Sequence, residues 1–561
     1  YMNAVRQGEF ARAVSITRED NPLSAILGRV CDHLCENTCI RTHLDEPLAI
    51  RDIKRFIMAQ ESQPTMFARE APLGRRVAIL GAGPAGLAAA ERLAYAGFAV
   101  TIYEMYPYPG GMVGGAIPTY RLPQEEIEQD VAVLLELGVE IHYKKKAGVD
   151  FTLGHLLGQG FDFVFVAVGA QVAKRLNLPG EESDGVIDAL RFLRSVREGD
   201  PISIGKRVGV IGAGDTAMDC VRSAWRLGSQ VSLIYRRTID QMPADREEIR
   251  AAIEEGIEII ELAKPQEILS EGGRLKGLIC KGMEYRGDRD ASGRKIPHGV
   301  EGREIRIPLD TLILAISQHA LLDFFAGQMP ELTDRGYIAV HPETLETSFP
   351  NVFAGGDVAA DGPSSIVRAA ADGKRVAQSI MERASRRASL PVGAGEEFDL
   401  AELLMRRARR EWRTPVTHTP LEARQGFDET VLTYTPEEAK AEASRCLDCH
   451  QICSLCVGVC PNMALMTYTA EPFIRFLPDL AIKAGRVVVG ETREVRADQT
   501  HQIAVLTDFC NECGNCTTFC PTAGEPYRDK PRLYLDRVDF ESQSDNAFWM
   551  ERHGESARIE A

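Results

Sequence analysis

The sequence predicts an α/β protein with two Rossmann-like domains, preceded by a helical segment and followed by a cysteine-rich domain. Two observations support this fold class. A glycine-rich turn between a β-rich apolar run and an amphipathic helix occurs twice, at residues 81–86 and 212–217. All but two of the 14 cysteines fall into three clusters, one near the start of the sequence and two near its end.

The composition limits the classes of function. The 561 residues suffice for three or four domains, and 44% hydrophobic with 26% charged residues is typical of globular proteins. A formal net charge of −16 offers no basic face of the kind that binds nucleic acid, so we expect no nucleic-acid partner. We find neither an apolar run long enough for a membrane span nor a signal peptide, and we expect a cytoplasmic protein.

The first glycine-rich turn has the G-x-G-x-x-G spacing of dinucleotide-binding domains. Gly81 permits the tight turn, Gly83 lets the backbone approach a pyrophosphate, and Gly86 allows the helix to pack closely on the strand. The helix N-terminus adds the positive end of its dipole, and an acid that ends the second strand can accept hydrogen bonds from ribose hydroxyls. We therefore predict an unphosphorylated ribose, as in FAD, bound by Gly81, Gly83, Pro84, Ala85, Gly86 and Glu104.

The second turn repeats this pattern without the acid. The acid of the first site follows its first glycine by 23 residues, and the same step from Gly212 leads to Tyr235. Arg236 and Arg237 come next, and a guanidinium pairs with a 2′-phosphate that a carboxylate would repel. The alternative is that the two arginines form a solvated strand end. We predict NADP(H), with NAD(H) as the alternative, bound by Gly212, Gly214, Asp215, Thr216, Ala217, Arg236 and Arg237.

Two further segments suggest a flavin in the first domain. Residues 161–170 read as a buried strand that ends in a glycine, suited to the crossing between the two domains. Residues 345–377 place an aspartate just after a strand, where its carboxylate can hold the ribityl chain or merely cap the loop. The helix that follows can direct its positive end at the reduced flavin. The predicted contacts are Gly169, Gly356, Asp357 and Ser365.

The last cysteine cluster has the spacing C-x2-C-x2-C-x3-C-P of bacterial ferredoxins. The short gaps let three thiolates surround one face of a 4Fe–4S cube, and the fourth cysteine serves a neighbouring cluster. Zinc is the alternative, but zinc sites are usually built from two separated cysteine pairs. We predict iron ligands at Cys510, Cys513, Cys516 and Cys520.

A second such motif ends in C-x2-C-x3-C-P at Cys453, Cys456 and Cys460. Its expected first cysteine is replaced by His450, with Cys449 one residue earlier. Cys446 lies three residues before that, so one of the five cysteines is spare, or it tunes or caps the site. We predict two 4Fe–4S clusters that exchange their fourth ligands. The two ligand sets are Cys449, Cys453, Cys456 and Cys520, and Cys510, Cys513, Cys516 and Cys460.

Several stretches together resemble a known family. GAGPAG, the stretch 106–123, GAGDTAMD, YRR and AGGDV are similar to the small subunit of glutamate synthase and to the flavin half of dihydropyrimidine dehydrogenase, across residues 20–385. With the cysteine-rich end, the chain more closely resembles the C-terminal part of an iron–sulfur subunit described as a candidate selenate reductase. The resemblance implies two domains of the pyridine nucleotide reductase type, FAD in one, a nicotinamide nucleotide in the other, and electrons that leave through iron–sulfur centres. It adds three cofactor contacts, Gly110, Gly111 and Arg121.

The N-terminal cysteines are four residues apart, a spacing that would place them along one face of a helix. The resemblance implies that this region ligates a 4Fe–4S cluster, with three thiols from Cys31, Cys35 and Cys39. The fourth ligand would precede Tyr1 or be His33 or His43. An empty site, zinc and core packing are the alternatives.

Two other features receive a structural interpretation. Cys220 and Cys280 stand alone in apolar contexts, which predicts buried structural thiols. The basic run MRRARREWR, residues 405–413, predicts a solvated or domain-packing face rather than a nucleic-acid site.

The predicted domain organisation inserts the second Rossmann-like domain into the first. The segments are a helical iron–sulfur segment at 1–70, an FAD-binding domain at 71–180 and 308–388, an NADP(H)-binding domain at 181–307, a linker at 389–445, and a ferredoxin-like domain with two 4Fe–4S clusters at 446–561.

These motifs and the resemblance predict an NAD(P)H-dependent FAD and iron–sulfur oxidoreductase that is a subunit of a larger complex. Electrons would pass from NADPH through FAD and the clusters to a partner subunit or a ferredoxin-like acceptor, or in the reverse direction. Positioning and flavin electronics suffice for hydride transfer, so we predict no catalytic side chain. The alternative function is a self-contained NADPH-dependent reductase of a small acceptor at the flavin, for which we find no substrate-pocket motif.

Overall fold

We describe a computed structural model of the chain. It describes residues 1–290, 293–325, 329–359, 362–385, 399–407, 409–449, 453–483, 486–497, 500–520, 522–554 and 556–560. The chain forms two compact units. The first comprises Tyr1–His33, Ile50–Ala394 and Pro415–Lys440, and the second comprises Leu34–Ala49, Gly395–Thr414 and Ala441–Ala561.

The N-terminal region is helical. Its helices are α1 Met2–Gln7, α2 Phe10–Asp20, α3 Ser24–Val30, α4 Leu34–Asn37 and α5 Ile50–Met58. Helices α3 and α5 pack closely because Gly28 has no side chain; a Cβ there would lie 3.0 Å from the backbone nitrogen of Arg55.

Strands and helices alternate through the rest of the first unit. Up to residue 166 they are β1 Arg76–Leu80, α6 Pro84–Tyr95, β2 Ala99–Tyr103, α7 Met112–Gly115, α8 Gln124–Glu136, β3 Glu140–His142, α9 Leu153–Gly158 and β4 Phe163–Val166. The elements that follow are β5 Val172–Ala173, β6 Val186–Asp188, α10 Ala189–Glu198, β7 Arg207–Gly212, α11 Asp215–Arg226, β8 Gln230–Ile234, α12 Arg246–Glu254, β9 Glu258–Ile260, β10 Ala263–Glu271, β11 Arg274–Arg289, β12 Lys295–Pro308, β13 Thr311–Ala315, β14 Gln318–His319, β15 Val352–Ala354 and α13 Ile366–Arg383.

The first sheet is parallel, with strand order β15-β4-β1-β2-β3. Apart from the edge strand β3, its strands are short, mostly apolar runs, as expected for a sheet covered on both faces. The last residues of β1 and β2, Leu80 and Tyr103, are in register, so both strands end at the same edge. Helices α6 and α13 pack against each other, and a Cβ at Gly373 would overlap the carbonyl oxygen of Ala85.

The second sheet is also parallel, with strand order β6-β13-β7-β8-β9. Strands β10, β11 and β12 form a separate antiparallel sheet, and β5 pairs with β14. Strand β13 follows β12 after two residues and inserts between β6 and β7. The second sheet therefore extends to Ala315, past the boundary at 307 that the sequence suggested.

The second unit contains a mixed sheet with strand order β16-β19-β20-β21-β22 and a separate hairpin of β17 and β18. The remaining elements, from residue 400 onwards, are α14 Leu400–Arg407, α15 Pro436–Ser444, α16 Leu455–Gly458, β16 Leu465–Thr469, β17 Phe473–Lys483, β18 Arg486–Ala497, β19 His501–Leu506, α17 Asn515–Thr518, α18 Pro526–Asp529, β20 Arg532–Tyr534, α19 Arg537–Glu541, β21 Ala547–His553 and β22 Ser556–Glu560.

This architecture confirms the predicted fold class. Two parallel Rossmann-like sheets lie in the first unit, and the second unit combines a mixed sheet with the two C-terminal cysteine motifs. Cys220 and Cys280 are buried, as predicted. Within the described residues, none of the helices combines the length and apolar character that a membrane crossing requires.

Candidate cofactor sites

The first glycine-rich turn connects β1 to α6, and its three glycines have different environments. Gly81 has a φ of +106°, and a Cβ there would lie 2.5 Å from the carbonyl oxygen of Ala167. A Cβ at Gly86 would overlap the carbonyl oxygen of Gly81. At Gly83 a Cβ would meet no atom within 4 Å. Packing therefore requires the first and third glycines, whereas the second faces open space in front of a helix N-terminus.

That helix N-terminus has the features of an anion site. Gly83 is its N-cap and offers no side chain, and Pro84 occupies the first turn, so backbone amides are the polar groups presented there. Gly110 donates its amide to the carbonyl oxygen of Ala82 at 2.7 Å. A Cβ at Gly111 would lie 3.1 Å from the Cα of Gly83. The second pair of glycines thus leaves room beside the turn, which fits a pyrophosphate.

Glu104 follows β2 and is held against the turn. Its Oε2 accepts from the amide of Ala82 at 2.8 Å, and its Oε1 accepts from the amide of Tyr106 at 2.9 Å. The residue is 3% exposed, and burial raises the pKa of its carboxyl group. Each oxygen retains a lone pair that can accept from a ribose hydroxyl.

A cavity of about 200 Å³ opens beside Glu104 and Gly81. Its walls are mostly apolar and include Tyr103, Phe151 and Phe324. An apolar cavity next to a carboxylate and a glycine-rich turn fits the adenosine part of a dinucleotide, since it offers an apolar surface to the base and an acceptor to the ribose.

Three of the predicted flavin-side residues lie in the segment that leads into α13. Oδ1 of Asp357 accepts from the amide of Ser364 at 2.9 Å, and burial raises its pKa. Gly356 has a φ of +72°, and its amide donates to Asp372 at 3.0 Å. Ser365 caps α13 by accepting from the amide of Arg368 at 3.4 Å. The carboxylate of Asp357 thus holds its own loop, and its role toward a flavin stays a prediction.

Two other predicted contacts have different surroundings. Gly169 follows β4 with a φ of +69°, and a Cβ there would meet no atom within 4 Å. Arg121 forms ion pairs with Asp219 of α11 at 2.7 Å and with Glu248 of α12 at 3.1 Å. Its guanidinium is therefore engaged by the second Rossmann-like domain.

The second glycine-rich turn, between β7 and α11, repeats the geometry of the first. A Cβ at Gly212 would overlap the carbonyl oxygen of Ala315, and Gly214 again faces open space. The fully buried Ala217 takes the place of the third glycine. Thr216 is half-buried in the first turn of α11. Asp215 begins that helix and accepts from the amide of Asp245 at 3.0 Å.

The two arginines after β8 differ in their burial. Arg237 is 6% exposed, donates to Asp290 at 2.7 Å and donates to the carbonyl oxygen of Lys295 at 3.0 Å. Arg236 is exposed. Arg236 therefore offers a guanidinium that can reach a 2′-phosphate without breaking an ion pair that the structure shows. The sequence pattern treated the two residues as equivalent.

The N-terminal cysteines do not share one helix, so their four-residue spacing does not place them along one helical face. Helix α3 ends at Val30, and Cys31 is extended. The amide of His33 turns back to donate to Sγ of Cys31 at 3.3 Å, and His33 has a φ of +35°. Cys35 lies in the short helix α4, and Cys39 follows it in extended backbone.

The candidate fourth ligands have other contacts. Nε2 of His33 lies 3.2 Å from Oδ2 of Asp245. The ring of His43 packs edge-on against Phe519, with ring centroids 6.3 Å apart. Cys31 belongs to the first unit, and Cys35 and Cys39 belong to the second.

Cysteines from both C-terminal motifs meet in one apolar cluster. Cys456 and Cys516 are buried in it, and Cys460 and Cys510 pack against it. Cys460 and Cys510, one from each motif, thus pack against the same cluster, and the exchange of fourth ligands stays a prediction. His450 and Pro521 lie outside the described residues.

Several of these sulfur atoms have environments suited to metal thiolates. The amide of Ala464 donates to Sγ of Cys460 at 3.3 Å, and that of Gly524 donates to Sγ of Cys520 at 3.3 Å. Burial raises the pKa of Cys446 to about 12 and that of Cys449 to about 11, which by itself disfavours their thiolates. The fit to iron–sulfur clusters therefore rests on the closely spaced thiol donors and on the amides that donate to their sulfur atoms.

Comparison with protein families gives two matches. Residues 75–373 match the family described as pyridine nucleotide-disulphide oxidoreductase. Residues 1–66 match the family described as dihydropyrimidine dehydrogenase domain II, 4Fe-4S cluster. The second match confirms the iron–sulfur prediction for the N-terminal segment.

Three curated relatives illustrate the similarity. The NADP(+)-dependent formate dehydrogenase subunit beta of Moorella thermoacetica is 37% identical over 81% of this chain and 69% of its own length. The candidate oxidoreductase YgfK of Escherichia coli (strain K12) is 32% identical over 98% of this chain, which spans 49% of that relative. The glutamate synthase [NADPH] small chain of the same organism is 34% identical over 68% of this chain and 85% of its own length.

These matches confirm the resemblance to the glutamate synthase and dihydropyrimidine dehydrogenase group. The two glycine-rich turns and Glu104 all lie within the region matched to the oxidoreductase family. The chain therefore belongs to the pyridine nucleotide-disulphide oxidoreductase family, as an NAD(P)H-dependent FAD oxidoreductase with an N-terminal 4Fe-4S domain.

Proposed function

We propose that the chain is an electron-transfer subunit of a larger oxidoreductase. Electrons enter from NADPH, pass through FAD to 4Fe–4S clusters and leave to a partner subunit or a ferredoxin-like acceptor, or flow in reverse. One observation carries this proposal: cysteines of both C-terminal motifs lie in one cluster, in a chain that also has two dinucleotide turns with open space at their second glycines.

FAD is assigned to the first turn. The amides at the start of α6 would bind its pyrophosphate, and Gly110 and Gly111 would leave room for that group beside the turn. Glu104, oriented by the amides of Ala82 and Tyr106, would accept from the adenosine ribose. When bound there, FAD takes up two electrons as a hydride and releases them one at a time.

NADP(H) is assigned to the second turn. The amides that open α11 would bind its pyrophosphate next to Gly214. Arg236 would pair with the 2′-phosphate, while Arg237 supports the strand end through Asp290. A preference for NADP(H) over NAD(H) therefore rests mainly on one exposed guanidinium.

The clusters are assigned to the cysteines. The C-terminal unit would hold two 4Fe–4S clusters in the predicted ligand sets, and Cys31, Cys35 and Cys39 would contribute to a third. Closely spaced cysteines that form no disulfides are typical of a reducing compartment, which supports a cytoplasmic location. The proposed domains keep the sequence-predicted boundaries except one: the NADP(H)-binding domain extends past residue 307 to include β13, which ends at Ala315.

Two relatives support the assignment as a subunit, because one is named a formate dehydrogenase subunit and another a glutamate synthase small chain. Similarity to the iron–sulfur subunit described as a candidate selenate reductase remains part of this proposal, without selenate as the substrate. The self-contained reductase is the competing hypothesis, and the test below separates the two.

The test is anaerobic addition of NADPH to the reconstituted full chain, followed by absorbance and EPR spectroscopy. We expect stoichiometric loss of flavin absorbance and reduced-cluster signals, without continued NADPH consumption until an electron-accepting protein is added. Steady NADPH oxidation with a natural small oxidant, at rates matching a physiological turnover, would contradict the subunit proposal.

A further inference from the structure

Helix α14 places part of the basic run beside the first cysteine motif of the second unit. Leu403 is fully buried in the same apolar cluster as Cys456 and Cys516, which anchors the helix there. The next turn carries Arg406 and Arg407, and both donate hydrogen bonds to the backbone of the cysteine motif. The run is therefore not simply a solvated face.

One guanidinium bridges two parts of this motif. Nε and Nη2 of Arg407 donate to the carbonyl oxygen of Leu447 at 3.1 and 2.7 Å, and Nη1 donates to Oγ of Ser454 at 2.6 Å. Leu447 precedes Cys449 by two residues, and Ser454 directly follows Cys453. Arg407 thus fixes the backbone beside two predicted ligands of the same cluster.

The neighbouring arginine has a different environment. Arg406 donates to the carbonyl oxygen of Cys446 at 3.1 Å and forms an ion pair with Asp448 at 3.0 Å. The bonds of Arg407 described above end on uncharged oxygens. Burial lowers the pKa of Arg407, and nearby charged groups oppose that shift, namely Cys449, Cys453, Asp448 and Cys446. The guanidinium stays protonated at neutral pH.

A fixed cation next to a 4Fe–4S cluster favours its reduced state. One-electron reduction adds one negative charge and breaks no covalent bond. The reduction potential of such a cluster depends on net charge, hydrogen bonding and solvent exposure around its sulfur atoms. Because Arg407 is half-buried, solvent screens its charge less than it would screen that of an exposed arginine.

We propose that Arg407 is a positioning residue that raises the reduction potential of the cluster held by Cys449, Cys453 and Cys456. This inference rests on the proposed function, which supplies both the cluster and the electron that NADPH delivers through the flavin. Arg407 acts in two ways, by its charge and by holding Leu447 and Ser454 together.

The test is an anaerobic redox titration of the full reconstituted chain, monitored by EPR, with iron content measured in parallel. The variants are Arg407→Gln, Arg407→Lys and the matched control Arg410→Gln, which removes the same charge from an exposed position of the same run. We expect Arg407→Gln to lower the equilibrium constant for reduction of one cluster by about tenfold, a shift of about 59 mV to more negative potential. Arg407→Lys should keep most of the wild-type potential, and Arg410→Gln should match the wild type.

The outcomes distinguish failure of this inference from failure of the proposed function. Equal potentials in Arg407→Gln and Arg410→Gln would overturn the inference. So would a shift in Arg407→Lys as large as that in Arg407→Gln, because the charge would then have no effect. Arg407→Gln could lose iron, and Arg407→Lys then decides. A wild-type potential with full iron content in Arg407→Lys supports the inference. Loss of iron from Arg407→Lys overturns it. A wild-type chain without two C-terminal clusters would contradict the proposed function itself.

Discussion

Nε2 of His33 lies 3.2 Å from Oδ2 of Asp245, so a residue two positions after the first N-terminal cysteine contacts the N-cap of α12. Arg51 of α5 joins the same carboxylate at 3.4 Å. The backbone amide of Asp245 in turn donates to Asp215, at the start of the second dinucleotide turn. Within the first unit, Asp245 therefore connects the N-terminal segment with the nucleotide-binding domain.

Replacing Asp245 by asparagine should weaken that connection without removing the helix cap. Asparagine can still accept from the amide of Glu247, so α12 keeps its N-cap, but the ion pair with Arg51 is lost. We expect the free energy of unfolding to fall by about 1–3 kcal/mol, measured by anaerobic urea unfolding. Asp184→Asn, at an exposed position, is the control; an equal loss in the control would contradict the role of Asp245.

The two arginines after β8 should respond differently to substitution. Arg236→Ala should weaken NADP⁺ binding by about 10- to 100-fold, the loss expected for one charged hydrogen-bonded pair, and leave NAD⁺ binding unchanged. Arg237→Ala should instead lower the free energy of unfolding by about 2–3 kcal/mol because the bonds of its buried guanidinium to Asp290 and to the carbonyl oxygen of Lys295 are lost. Calorimetric titration and urea unfolding check both effects. An unchanged preference for NADP⁺ in Arg236→Ala would overturn the nucleotide assignment.

Glu91 makes stability depend on pH. It is 2% exposed in α6, and burial raises its pKa to about 7, against an opposing effect of Arg92. A carboxyl group whose folded pKa is raised stabilises the fold below its unfolded pKa, about 4.3, and this contribution is lost as pH rises through 7. Glu91→Gln removes the titrating group. The free energy of unfolding of this variant minus that of the wild type should therefore be about 2–3 kcal/mol larger at pH 8 than at pH 5.

Urea unfolding of both proteins at the two pH values measures this difference. The exposed Glu136→Gln serves as the control and should show the same difference from the wild type at both pH values. A stability difference for Glu91→Gln that does not change with pH would refute the assignment of the titration to this residue.

The spare cysteine can be identified by iron content. The proposed ligand sets use Cys449 and leave Cys446 out, so Cys446→Ser should retain the iron of the wild type. Cys449→Ser should lose iron from one cluster because serine is a poor thiolate substitute. Iron and sulfide analysis of the two variants measures this; the reverse result would exchange their roles.

The local geometry of both turns was predictable from the sequence, because the strand–turn–helix pattern sets the glycine spacing, even where a close contact such as that of Gly81 with Ala167 is distant along the chain. Glu104 was predictable from the same pattern, since it directly follows β2, the strand paired with β1. The division between Arg236 and Arg237 was not, because the partner Asp290 lies more than 50 residues further along the chain. A spacing rule has no information about such a contact.

The N-terminal cysteines illustrate the same limit. Their four-residue spacing suggested one helix, but long-range contacts determine the backbone here. Arg41 donates to the carbonyl oxygen of Arg445 at 2.7 Å and pairs with Asp45, which holds the segment after Cys35 within the second unit. The bridge made by Arg407 likewise joins residues about 40 positions apart.

The most direct test of the account compares Gly83→Ala with Gly214→Ala. Both positions have negative φ and open space for a methyl group, so both variants should fold with wild-type stability. We predict that Gly83→Ala loses most of its FAD, because the methyl group occupies the space assigned to the pyrophosphate. Gly214→Ala should retain FAD and lose affinity for NADP⁺. Wild-type FAD content in Gly83→Ala, or wild-type NADP⁺ affinity in Gly214→Ala, would contradict the assignment of one dinucleotide to each turn.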